Sequence, residues 1–250
     1  PSAAATPAEA QRAAALWRHP DPVELPAMIG TARMWERREG ERDDLTIRVG
    51  PGRQTLATPL SAPDTGPVDD LEPVSVVSMR RFVRVHSVVD ELPVALELRA
   101  FAALSLDGDV DVVRSAVRAM LAGLVVAHGP DRVRIAVAAS EGQARRAWEW
   151  LKWLPHHEHR EFTDGGGRVR LSEFSLAGVE SMLGTEISDR SAFAPTAPLV
   201  PGRAHLVVVV DGVGVTGAER ILAENGLDGV TVLEVSGSRA GQLRDLALGR

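Results

Sequence analysis

Two short stretches of this 250-residue chain carry residues that could handle a phosphate and its metal ion. The first, LSLDGDVDVV, runs from an apolar strand through an Asp-Gly turn into an amphipathic helix, where a glycine-rich phosphate loop would lie. The second, HLVVVVDG, is an apolar strand that ends at Asp211, in the manner of a Walker B aspartate that orients magnesium. Ligands of open α/β sheets bind outside the carboxyl ends of the strands. We therefore expect both stretches to lie at the carboxyl edge of one sheet.

The first stretch lacks the groups that bind a triphosphate. In place of Gly-Lys-Ser/Thr, the turn offers Asp107, Gly108 and Asp109, followed by Asp111. One of these aspartates is expected to cap the helix, and all three complement the positive end of its dipole. Because carboxylates fill the anion site from within, they would repel a phosphate.

The second stretch also departs from an active hydrolase. In the additional-strand type of P-loop ATPase, a glutamate follows the aspartate and polarises the attacking water, whereas this chain has Gly212. We therefore predict no catalytic residue and no required cofactor. The residues predicted to form a degenerate nucleotide site are Asp107, Gly108, Asp109 and Asp211.

Alternative readings of the same residues remain open at this point. The DGDVD stretch resembles the start of a calcium loop, but Val112 at its sixth position and Arg118 at its twelfth exclude an EF-hand. A magnesium ion held by Asp211 and this cluster is an alternative, in which the domain is an active ATPase that binds ATP with an atypical loop. An ordinary strand that ends at an Asp-Gly turn is a third interpretation.

The segment WEWLKWLPHHEH holds three of the five tryptophans and three of the seven histidines. We predict core packing with one partly exposed ring for Trp148, Trp150 and Trp153, the alternative being an anchor for a partner protein. The HHEH run has no helical i, i+4 pair and no distant fourth ligand, which argues against zinc. An exposed turn is the prediction for it.

Composition excludes several functional classes. The net charge of −6 argues against broad nucleic-acid binding, and the absence of cysteine excludes disulfides and thiolate metal sites. No apolar run approaches the roughly 18 residues that a membrane span needs. A hydrophobic fraction of 44% is that of a globular protein with a substantial core.

Strands and helices alternate from about residue 94 onward, and the strands are too apolar for a solvated face. This pattern predicts an α/β fold of the P-loop NTPase type, with helices on both faces of a parallel sheet. The predicted organisation is a stalk helix, a small β-module or arm, and a degenerate ATPase-like domain, over 1–18, 19–72 and 73–250. The predicted elements of the last part include helices over 110–127, 141–154, 175–187 and 215–225, and strands over 95–106, 132–139, 204–212 and 229–235.

Several longer phrases together resemble EccC, a membrane-bound, multi-ATPase motor protein of actinobacterial type VII secretion and of the FtsK/SpoIIIE class. They include MWERREGERDDLTIRVG, TGPVDDLEPVSVVSMRRFVRVHSVVDELPVAL, WEWLKWLPH and HLVVVVDG. The resemblance covers about residues 18–240. It places the chain between the transmembrane helices and the first clear P-loop domain of that family.

The resemblance implies a role in protein transport at the cytoplasmic face of the plasma membrane. It implies a stalk helix that leads from a preceding transmembrane segment, a degenerate nucleotide site, and Asp211 in the place of the Walker B aspartate. It also implies partners: other domains and subunits of a hexameric motor, and other membrane components of the secretion system. A DNA translocase segment is a further alternative, although the acidic charge opposes nucleic-acid binding.

Overall fold

The computed structural model describes residues 5–60, 73–195, 200–214, 216–223 and 225–237. The chain forms two compact units that are interleaved in sequence. One unit consists of residues 1–24 and 48–95, and the other of residues 25–47 and 96–250. The predicted segments 1–18, 19–72 and 73–250 are consecutive, whereas each unit combines separate parts of the chain.

The smaller unit is built on helix α1 (Ala5–Arg18), helix α2 (Pro73–His86) and most of a two-stranded sheet, β1 (Thr46–Thr55) with β2 (Val88–Glu97). Its apolar cluster is formed by Leu56, Val89 and Leu92, against which Ala8 and Ala15 of α1 pack. The stretches DDLTIRVG and QTLATPL, split by Pro51-Gly52-Arg53, predict two short strands around a turn. A single strand instead runs through these residues, since a two-stranded sheet leaves edge positions where the missing N–H of proline costs nothing.

The larger unit contains a five-stranded parallel sheet, which confirms the predicted fold class. Its strands are β3 (Ala103–Gly108), β4 (Val133–Ala139), β7 (Ser172–Glu173), β8 (His205–Asp211) and β9 (Val230–Gly237), in the spatial order β3-β9-β8-β4-β7. Strands β5 (Glu158–Asp164) and β6 (Gly167–Arg170) form a separate antiparallel hairpin. One strand, β9, separates β3 from β8, as in a P-loop sheet of the additional-strand type.

Helix α3 (Val110–Ala127) follows β3 and has the bounds that its apolar spacing predicts. Its buried stripe includes Val113, Val117, Leu121 and Leu124. On a second buried surface, helix α5 (Leu176–Ser188) packs Leu176, Val179, Leu183 and Ile187 against alternate residues of β4, β8 and β9. Strands β4 and β8 are buried along their whole length, which explains their near-continuous apolar sequence.

Two predicted helices differ from the structure. Helix α4 (Gln143–Trp148) is short and continues as a 3₁₀ turn over Glu149–Trp153, where one α-helix over 141–154 was predicted. The helix predicted over 215–225 is wrong within the described residues 216–223, which form successive turns. In the described parts of the chain, no helix has the length and apolar character needed to cross a bilayer.

Candidate functional site

Asp211 lies at the carboxyl end of β8 and is only 1% exposed. Its neighbours in the sheet are Ala139 at the end of β4 and Val235 of β9. The helical connection from β4 leads outward to β7, whereas β8 continues to β9 on its other side. The carboxyl ends of β4 and β8 therefore form a topological switch point, the place where open α/β sheets bind ligands.

Arg114, in the second turn of α3, occupies both carboxylate oxygens of Asp211. Its Nε donates to Oδ2 at 2.8 Å and its Nη2 to Oδ1 at 3.1 Å. The guanidinium side chain is 10% exposed, so this is a buried, bidentate ion pair. The hydrogen bonds that Arg114 donates to Asp211 hold the pKa of Arg114 above its ordinary value, although burial opposes the charge.

Two further side chains complete this cluster. The indole Nε1 of Trp148, which is buried in α4, donates to Asp211 Oδ2 at 2.8 Å. Arg114 Nη1 also donates to Asp111 Oδ1 at 3.3 Å, and that carboxylate is exposed. The cluster thus contains one cation, Arg114, and two carboxylates, Asp111 and Asp211. Its positive charge comes from a side chain and not from a bound metal ion.

The predicted aspartates of the turn lie on the surface. Asp109 caps α3, because its Oδ1 accepts from the backbone N–H groups of Asp111 at 3.1 Å and Val112 at 3.2 Å. Asp107 and Gly108 are exposed at the end of β3. Among the residues that the structure describes, no group of three acidic or histidine side chains is arranged to hold a metal ion. The site predicted from Asp107, Gly108, Asp109 and Asp211 stays a prediction.

Gly212 is required by the backbone that follows Asp211. Its φ of +67° lies in the left-handed region, and a Cβ at this position would stand 2.7 Å from Ser140 Oγ. The backbone N–H of Ser140 donates to the Asp211 carbonyl at 3.0 Å, which holds the two loops together. A glutamate at this position would meet both obstacles.

The HHEH run is buried, so the predicted exposed turn is wrong. His156, His157 and His159 are 2 to 4% exposed. His156 donates to the His128 carbonyl at 2.8 Å, His157 to the Ile135 carbonyl at 2.8 Å, and His159 to the Met182 carbonyl at 3.2 Å. Rings that satisfy backbone groups in this way have a structural role and are not arranged as a metal site.

The tryptophans agree with the prediction only in part, because one ring is buried and another is largely exposed. Trp148 is buried, Trp150 is half-buried and Trp153 is 77% exposed.

The sequence interpretation missed the hydrogen bond of Trp148 to Asp211 and the whole role of Arg114. A signal was present, because Arg114 lies three and seven residues before the buried Val117 and Leu121. A charge on an apolar helical stripe needs a buried partner, and Asp211 ends the most apolar strand.

The fold is a P-loop-like α/β module in which an arginine of the protein itself pairs with Asp211 at the carboxyl end of β8. No family model matches the chain. The chain is, however, 45% identical over 233 residues to the ESX secretion system protein EccC of Thermomonospora curvata.

Two relatives from Mycobacterium tuberculosis extend the comparison. The chain is 35% identical over 234 residues to the ESX-4 secretion system protein EccC4 and 32% identical over 235 residues to the ESX-1 secretion system protein EccCa1. These three matches cover 90 to 94% of this chain. The chain spans 17% of the length of EccC and EccC4, and 30% of EccCa1. The predicted resemblance is confirmed: the chain is a homologue of one segment of EccC proteins.

Proposed function

We propose that the chain is a non-hydrolysing module of a type VII secretion motor, in which Arg114 stands where an active P-loop domain holds magnesium. The observation that carries the proposal is the bidentate Arg114–Asp211 pair with the Trp148 indole on the same carboxylate. Each oxygen of Asp211 already accepts a hydrogen bond. The guanidinium also supplies the positive charge that the ion would bring.

Energetics oppose replacement of the arginine by an ion. Magnesium would have to separate Arg114 from a carboxylate that is 1% exposed. Breaking a buried pair by removing one partner costs about 3–5 kcal/mol, because the remaining charge is left without compensation. Magnesium also gives up its own water reluctantly. The pair therefore favours a closed site over an exchangeable one.

The phosphate side of the site supports the same proposal. A triphosphate at the start of α3 would meet the carboxylates of Asp107 and Asp109, and Asp109 already occupies two of the free N–H groups there. The P-loop lysine is absent, and Gly212 replaces the glutamate that would polarise water. Phosphate binding, magnesium binding and activation of the attacking water are thus each lost through a different residue change.

The homology with EccC supports a place for this module within a larger motor. We propose that it couples the stalk helix α1 to ATPase domains that follow in the parent protein, at the cytoplasmic face of the membrane. The proposed partners are other subunits of a hexamer and further membrane components of the secretion system. No nucleic acid is proposed, in keeping with the net charge of −6.

Nucleotide turnover by the purified chain tests the proposal. We expect no MgATP hydrolysis above the buffer rate, and no change in Asp211→Asn or in Arg118→Ala, a control one turn along α3. Since Asp211→Asn leaves Arg114 buried without its anion, a second variant combines it with Arg114→Leu, so that no unpaired charge is buried. Turnover that survives in Arg118→Ala and disappears in both Asp211 variants would establish the active ATPase alternative and refute the proposal.

A further inference from the structure

A second cluster of charge lies in the larger unit, around a cavity that Trp148 also lines. This cavity of about 320 Å³ opens between the α4 segment and the edge strand β7. Four cationic side chains line it: Arg145, Arg146, Lys152 and Arg170. Such a concentration is unusual in a chain whose net charge is −6.

The acidic groups at the cavity do not balance these cations. Glu149 lines the cavity and pairs with Lys152 at 2.7 Å, and Glu158, which does not line it, pairs with Arg170 at 2.6 Å. Two of the four positive charges are therefore matched, and two remain. The cavity has a net positive charge.

The two remaining cations differ in how they are held. Arg145 donates to the Glu173 carbonyl at 3.2 Å, and its guanidinium lies 4.6 Å from the ring centroid of Phe174. These contacts orient the arginine without neutralising it. Arg146 is exposed, and its side chain forms no hydrogen bond or salt bridge with any residue that the structure describes, although its charge acts on Glu149. An oriented arginine beside an exposed one is suited to the oxygens of an anion.

The Ser172 hydroxyl adds no hydrogen-bond donor for an anion in this cavity. Ser172 lines it, and its hydroxyl lies 2.7 Å from Nε2 of His157. His157 donates from Nδ1 to the Ile135 carbonyl, so its Nε2 accepts the serine proton. Ser172 therefore offers an oxygen and no free proton, and attraction must come from the cations. Val137 and Trp148 supply apolar wall.

We propose that this cavity binds a small, multiply charged phosphate-bearing anion, at a site distinct from the place of the P-loop. Planar guanidinium groups match phosphate oxygens in pairs, and 320 Å³ is at the lower end of the range of ligand pockets, about 300–1,000 Å³. Pyrophosphate and a nucleoside diphosphate share this chemistry. The proposal does not depend on whether the Arg114–Asp211 site is closed.

Calorimetric titration of the chain with pyrophosphate, in the absence of magnesium, tests the site. Arg145→Ala and Arg146→Ala are expected to weaken binding about tenfold each, the loss of one charge-assisted hydrogen bond. Arg203→Ala is the matched control, since it removes the same charge from a second basic cavity of about 350 Å³ that also contains Arg160. It should leave the affinity unchanged. Because Arg146 is exposed, its variant is expected to keep the wild-type melting temperature.

Three results would overturn the proposal: no heat of binding at millimolar pyrophosphate, equal weakening by Arg203→Ala, or tighter binding of citrate than of pyrophosphate. Tighter binding of ADP than of pyrophosphate, lost in Arg146→Ala, would support the site and identify a nucleoside phosphate. Asp109→Ala separates the two sites, because it alters only the turn before α3. ADP binding that responds to Asp109→Ala and not to Arg146→Ala would place the ligand at the P-loop position and refute this assignment.

Discussion

Arg114 determines the electrostatics around Asp211. Replacement of Arg114 by alanine leaves a carboxylate that is 1% exposed with the Trp148 indole as its one side-chain partner among the described residues. We expect a loss of about 3–5 kcal/mol in the free energy of unfolding, measured by urea denaturation. The control Arg118→Ala lies on the same helix and should change stability by less than about 0.5 kcal/mol.

A double-mutant cycle separates the ion pair from simple packing. Combined with Asp211→Asn, Arg114→Ala should cost less than the sum of the two single variants, because no uncompensated charge remains. Additive losses would show that Arg114 and Asp211 do not interact energetically, and would contradict the role given to the pair.

Gly212 provides a second test at the scale of one residue. Gly212→Ala places a Cβ 2.7 Å from Ser140 Oγ on a backbone with φ of +67°, so we expect a loss of about 1–3 kcal/mol in unfolding free energy. Gly214 has open space where a Cβ would stand and a φ outside the left-handed region, which makes Gly214→Ala the matched control. Adding Ser140→Ala to Gly212→Ala should recover only part of the loss, because the backbone strain persists. Equal effects at both glycines would contradict this account.

At the scale of elements, Asp107 and Asp109 have different roles in the turn before α3. Asp109→Ala removes the N-cap and should destabilise the protein by about 1 kcal/mol. Asp107→Ala removes an exposed carboxylate that accepts no side-chain hydrogen bond from the described residues, and should be nearly neutral. Thermal denaturation of the two variants side by side measures the difference. A larger loss for Asp107→Ala would mean that the capping assignment is wrong.

Elements with a strong local signal were predicted closely, and elements shaped by tertiary contacts were not. Helix α3 and strands β4 and β8 have continuous apolar patterns and agree with prediction. The helix predicted over 215–225 has apolar residues at suitable spacing. However, Gly217 adopts φ of +82°, and the N–H groups of Arg220 and Ile221 donate to Glu180 of α5 at 3.0 and 2.9 Å. The Glu180 carboxylate thus accepts from backbone N–H groups that, in a continuous helix, would donate to backbone carbonyls.

At the scale of the whole molecule, buried histidines set the response to acid. Burial lowers the pKa of His128 and His157 to about 4 and that of His205 to about 3, and it also lowers the pKa of His156. These side chains are neutral in the folded protein, whereas in the unfolded chain they bind protons near pH 6.5. The unfolded state is therefore favoured as the pH falls from about 6.5 towards 4.

Each such histidine contributes a slope of up to about 1.4 kcal/mol per pH unit within that window. We expect urea midpoints to fall between about pH 7 and pH 5, before most carboxylates titrate. His157→Gln removes one titrating ring and should make the dependence shallower, even if the variant is less stable at neutral pH. A midpoint that stays constant down to about pH 5 would contradict this prediction.

The sequence by itself determined the parallel α/β architecture, the strand-turn-helix that leads into α3, the place of Asp211 at the end of β8, and the relationship to EccC. Each depends on local patterns: apolar runs, turn residues and helical spacing. Only the tertiary structure decided that Arg114 and Trp148 hold Asp211, that Ser140 requires Gly212, and that the HHEH run is buried. Arg114 and Asp211 are 97 residues apart, and their contact depends on how α3 packs at the carboxyl ends of the strands. Burial then gives this pair its strength, because a low-dielectric surrounding makes an unpaired charge costly.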